Sequence, residues 1–151
     1  MASITEISFD LAAAMLDNSV NTLLNEGTGN AIINIYSGSL PANCEATATG
    51  TLLATCVMNA IPFGAATNLS PNARITANPV IDDPDAVAGG TATYFRAYST
   101  NAGTDASKLY CHIQGSAGEA ADSTDLTLDV KLVVLGQSVS VTAWSIDMIE
   151  S

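Results

Sequence analysis

After Gly29 the apolar residues fall on every second position and keep doing so to the C-terminus, a period that suits the two faces of a β-strand and not a helix. Ile33 and Ile35 alternate with Asn34 and Tyr36. KLYCHIQG sets Leu109, Cys111 and Ile113 against Lys108, Tyr110, His112 and Gln114. LTLDVKLVV sets Leu126, Leu128, Val130, Leu132 and Val134 against Thr127, Asp129 and Lys131. Each pattern predicts a strand with one face in a core and the other in water. TATYFRAYST reads as a further strand, and TLLATCVMNAIPF, apolar in both phases, predicts a strand buried on both faces. In SVSVTAWSIDMIE, Val139 and Val141 hold one phase and Trp144, Ile146 and Met148 the other. Such a switch predicts a β-bulge or a strand passing between two packed environments. Between Gly64 and Gly90, Pro71, Pro79 and Pro84 predict loop, with RITA the one possible strand.

Ahead of Gly29 the period is helical. Phe9, Ala13, Leu16, Val20 and Leu23 recur at spacings of four and three, Ser8 or Asp10 suits the N-cap, and Gly27 suits the stop. The expected architecture is mainly β: an antiparallel two-sheet sandwich, jelly-roll-like, with one N-terminal amphipathic helix. An arm over residues 1–9 precedes a single domain over 10–151 that includes a helix at 10–25.

The chain has 151 residues, enough to bury a core without staples. Its 15 acidic and 4 basic residues give a net charge of −11, which argues against nucleic acid, because phosphate contacts need Lys and Arg. No run of about 18 apolar residues predicts a membrane span, and MASITEISFD lacks the basic and apolar regions of a secretory leader, so a cytoplasmic product is expected. Cys44, Cys56 and Cys111 lack metal-ligand spacing; free thiols are expected, with a Cys44 to Cys56 bridge the alternative.

Little in the pattern suggests catalysis. His112, the one histidine, alternates with Cys111, and adjacent strand residues face opposite sides, so the two do not form a couple. No cofactor is expected. Asp82, Asp83 and Asp85 of IDDPDA are the cluster best suited to a hard cation, but without EF-hand spacing they read as a solvated acidic turn, and no metal site is assigned. Tyr94, Arg96 and Tyr98 share one strand phase and form either a sticky stripe of the kind that stacks sugars or part of a subunit contact. Apolar residues in both phases of several strands exceed what one sandwich core requires, and such surplus usually becomes an interface.

The helix, INIYSGSLPANCEATATGTLLATCVM, the following FGAA, GTATYFRAYS and SVSVTAWSIDM together resemble small structural proteins of tailed bacteriophages, of the capsid decoration or cement type. The resemblance covers about Ala31 to Met148. It implies a non-enzymatic, mostly β protein, a dimer or trimer, that binds the major capsid protein on the outer face of the virion and stabilises contacts between capsomers. On this expectation Ile4, Ile7 and Phe9 of the arm, with Tyr94, Arg96 and Tyr98, are the interface candidates. A carbohydrate- or receptor-binding module of a phage tail or surface appendage is the alternative, and it requires the tyrosine and arginine stripe to be exposed.

Overall fold

A computed structural model describes residues 8–26, 29–99 and 111–149. It is mainly β, 42% strand and 14% helix. Helical residues come first: α1 (Phe9–Ala14), a π-helical segment (Met15–Val20) and α2 (Asn21–Leu24) run on as one rod. Ser8 caps it by accepting from the Leu11 amide at 3.3 Å. The buried positions are Ala12, Leu16 and Leu24, with Val20 partly buried against the core. The expected stripe through Ala13 and Leu23 is therefore corrected by one residue, and Leu23 is exposed. The wider π-turn is the cause: it keeps the inward spacing at four residues from 12 to 24, where a regular α-helix drifts back toward three.

Ten strands follow among the described residues: β1 (Ile32–Ser37), β2 (Thr51–Val57), β3 (Thr67–Asn68), β4 (Asn72–Thr76), β5 (Gly90–Thr91), β6 (Tyr94–Tyr98), β7 (Cys111–Gly118), β8 (Leu126–Leu128), β9 (Leu132–Val133) and β10 (Val141–Ile149). Eight form one sheet in the order β2-β1-β6-β7-β8-β10-β4-β3, and β5 pairs with β9. The sheet is mixed, which corrects the expectation of purely antiparallel pairing: β7 and β8 run parallel through Ala117↔Leu126 and Gly118↔Thr127. A short 3₁₀ turn (Ala120–Asp122) and left-handed Ser123 reverse the chain twice in this connection. The Asp125 carboxylate, accepting from the Ser116 amide at 2.8 Å and its hydroxyl at 2.7 Å, then fastens the start of β8 beside β7.

Strands that are not neighbours in the sheet order meet in the core. Phe95 on β6 lies edge-on to Trp144 on β10, centroids 5.0 Å apart, and Phe63 contacts the same indole at 4.8 Å. Ile33, Ile35, Leu53, Ile75 and Leu126 fill the space around them with essentially no exposure. The phase switch in the last strand is a bulge between Val141 and Ala143. LTLDVKLVV does not stay in phase: Leu126, Leu128 and Val133 are buried, whereas Leu132 and Val134 face out, because the chain leaves β8 and re-pairs as β9 with β5.

TLLATCVMNAIPF yields β2, which stands at one end of the sheet order. An edge strand so apolar needs covering, and the segment from 81 to 87 supplies the cover. Val57 and Ile81 exchange backbone hydrogen bonds, and Val87 donates to the Leu53 carbonyl at 2.8 Å.

Candidate functional site

Tyr94, Arg96 and Tyr98 do share one face of β6, opposite the face that carries Phe95 and Ala97 into the core. On neighbouring strands that face continues as Thr55, Asn34, Tyr36 and Gln114. It is polar but not open. Residues 38–50 fold over it as a flap, leaving Tyr94 wholly buried and Arg96 3% exposed. The exposed stripe that sugar stacking requires is thus contradicted: the rings and the guanidinium are occupied inside the chain.

The flap closes through a narrow neck. Gly38 and Gly50 both have positive φ, and a Cβ built on Gly50 would lie 1.8 Å from the Ser37 carbonyl oxygen, so only glycine lets the two strands of the neck touch. Beyond it, the Tyr94 hydroxyl donates to the Thr49 carbonyl and accepts from the Thr49 amide at 3.0 Å. Arg96 Nη2 donates to the Cys44 carbonyl, and Gln114 Nε2 donates to the Pro41 carbonyl at 2.8 Å. Underneath, Tyr36 and Tyr94 stack with centroids 4.9 Å apart, and the Arg96 guanidinium sits 5.7 Å from the Tyr98 ring centre. Burial, then a hydrogen bond to Tyr36, pushes the Tyr98 phenol above its ordinary value.

Arg96 has no carboxylate partner among the described residues; the ion pairs there are Arg74 with Asp147 and Lys131 with Asp122. Its Nε and the Gln114 Oε1 are buried without hydrogen-bond partners. A cavity of about 200 Å³ opens beside the guanidinium, lined by Cys44, Glu45, Tyr98 and Cys111 among others.

Cys111 reaches this cavity against expectation. The register opposes Tyr98 to Cys111 but Ala97 to Ile113, so His112 is the extra residue of a bulge. Cys111 therefore turns away from the Ile113 face to join Arg96 and Tyr98. Sequence periodicity missed it, because one inserted residue inverts the phase of everything before it. His112 itself lies 3.3 Å from the Ser99 hydroxyl through Nε2. Cys56 points into the core on the other side of the sheet, its thiol donating to the Val139 carbonyl at 3.6 Å, and burial pushes it up to about 11. All three cysteines are free thiols, and the sheet separates Cys44 from Cys56, which rules out the bridge between them.

The acidic turn has a structural task. Asp83 accepts from the Thr55 amide and the Asp85 amide, and its backbone pairs in both directions with Val139. Asp82 and Asp85 are exposed. Among the described residues no group of three or more His, Cys, Asp or Glu is placed to hold a metal ion. Ile4 and Ile7 lie outside the described residues. Phe9 opens α1 in its backbone, and its side chain lies outside them too.

Among the described residues, large apolar side chains are exposed singly at Leu40, Ile61, Leu69 and Ile81 and in groups at two places. Leu11, Met15 and Leu23 lie on the outer side of the helical rod. Val87, Leu132, Val134 and Leu135 gather where β5 meets β9, with Gly136 donating to the Ala86 carbonyl and Gly89 packed against Val134 and Leu135. No protein family model, curated protein or solved structure matches the chain.

Proposed function

We propose that this is a non-enzymatic structural protein of the tailed-phage capsid decoration type, which associates with itself as a dimer or trimer and binds the major capsid protein on the outside of the shell. The observation that carries the reading is the apolar corner of Val87, Leu132, Val134 and Leu135, four large side chains from two neighbouring segments, each between 60 and 69% exposed. Such a patch costs solubility in a lone subunit and gains stability when repeated contacts cover it. Many weak contacts arrayed by shell symmetry bind through avidity, and the net charge of −11 keeps unassembled subunits apart. The sheet that turns back to bring Phe95 onto Trp144 supports reading the fold as a two-layer sandwich of the jelly-roll kind.

The carbohydrate-binding alternative loses its basis with the burial of Tyr94 and Arg96. The reading is tested by light scattering on the purified chain, followed by co-sedimentation with capsids stripped of decoration. A dimer or trimer that sediments with such capsids is expected. A monomer that stays in the supernatant would refute it.

A further inference from the structure

Of the three cysteines, two come together without any cue from their spacing. Cys44 sits on the flap and Cys111 at the start of β7, 67 positions apart by number (111 minus 44), and both line the same cavity beside Arg96. The Cys111 thiol has Arg96 and Cys44 as its charged and titratable neighbours across this cavity, and it donates to the Ile113 carbonyl at 3.0 Å. Arg96 holds the Cys44 backbone carbonyl, so one buried cation on β6 fixes the flap cysteine beside the start of β7. Each thiol belongs to a different piece of the fold: one rides on a covering segment, the other on a central strand.

We propose that Cys44 and Cys111 form a reversible disulfide that locks the 38–50 flap onto the sheet. The oxidant is a low-molecular-weight disulfide such as oxidised glutathione. Cys44, half-buried, meets it first: its thiolate attacks one sulfur, and one glutathione leaves as a thiol, giving a mixed disulfide on Cys44. The Cys111 thiolate then attacks the Cys44 sulfur and expels the second glutathione. Two protein S–H bonds and the oxidant's S–S bond are lost; one protein S–S bond and two glutathione S–H bonds are formed. Burial pushes Cys111 up to about 11, while the guanidinium favours its thiolate. The groups facing this sulfur are Arg96, Tyr98 and Cys44, with Glu45 and His112 around the wider opening. The second step is therefore the slow one, and the pair stays as thiols in a reducing compartment and closes in an oxidising one. This inference stands on the thiol geometry and is independent of the proposed capsid role.

The test treats the purified full chain with oxidised glutathione in mildly alkaline buffer, then maps peptides by mass spectrometry without reduction. A Cys44–Cys111 cross-linked peptide is expected, with Cys56 alkylated only after unfolding. The thermal midpoint of the oxidised form should rise by about 5–10 °C and return on reduction, because a long loop is closed in the unfolded chain. C44S and C111S should each lose both effects, and C56A should keep them. A Cys44 mixed disulfide that persists with no internal cross-link, or a cross-link only between copies, would overturn the proposal. So would a cross-link that leaves the midpoint unmoved.

Discussion

Asp83 Oδ2 accepts the Thr55 amide at 2.7 Å, so a carboxylate from a loop closes the outward edge of an end strand. One of the three carboxylates of IDDPDA is thereby a substitute for a missing neighbouring strand. D83A should destabilise the fold by about 1–3 kcal/mol, since it strips an acceptor from Thr55 and loosens the pairing with Val139. D82A should change stability by less than about 0.5 kcal/mol. Urea unfolding of the two variants with and without calcium checks both, and calcium should leave each curve unmoved.

Asn21 docks the helical rod by imitating a strand. Its Oδ1 accepts from the Phe63 amide at 2.9 Å and its Nδ2 donates to the Phe63 carbonyl at 3.1 Å, while Asp17 one turn earlier accepts from the Ala66 amide at 2.7 Å. N21A should cost about 1–3 kcal/mol, because Phe63 is buried and its peptide groups would lose their partner. Hydrogen exchange should show faster amides in residues 9–24 and 63–66, with the β1 and β6 amides unchanged.

The helix also shows how far a period can be trusted. Its existence, Ser8 cap and the inward Leu16 and Val20 were legible, yet the ends of the inward face were misplaced by one residue, since nothing in MLDNSV announces a π-turn. The bulge near Val141 was legible because large apolar residues occupy both phases around it. The bulge at His112 was not, because Cys111 is small enough to suit either face. The polar layer escaped for a different reason: Tyr94 and Arg96 alternate as solvent-facing residues should, and only the flap, held by long-range contacts such as Gln114 to Pro41, decides that they are buried. The edge role of Asp83 likewise depends on strand order, which periodicity does not encode.

Gly50 carries the neck of that flap. An alanine there would place its Cβ against the Ser37 carbonyl at positive φ, so both contact and conformation oppose it. G50A should destabilise by at least about 3 kcal/mol, or open the flap. Tyrosine fluorescence quenching distinguishes the two: Tyr94, wholly buried in the native chain, should become accessible to acrylamide in G50A before global unfolding.

Arg74 grips Asp147 with two bonds of 2.5 and 2.6 Å between β4 and β10, and this holds the Asp147 carboxyl below its ordinary value of 3.8. In the window from 3.8 downward the unfolded chain binds this proton before the folded one does. The pair's contribution is complete above 3.8 and is lost as pH falls through the lowered folded value. Because both side chains are about a third exposed, solvent screens the pair and the effect is small. D147N should lose that contribution at neutral pH and converge with the native chain in acid, as read from thermal midpoints across a pH series.

Leu132 and Leu135 contribute most to the exposed corner and little to the core, which reaches only as far as their buried neighbour Val133. Replacing both with serine should leave monomer stability within about 0.5 kcal/mol, since neither side chain gives up much buried area. If the corner is the self-association surface, the oligomer seen by light scattering should fall to the monomer mass in L132S/L135S, with the circular dichroism spectrum unchanged. The converse substitution, V133S, should do the opposite: it opens the core beneath β9, so the fold should weaken by about 2–4 kcal/mol. An unchanged mass in the double variant would assign association to the helix face of Leu11, Met15 and Leu23 instead, and the same serine exchange there would then be decisive.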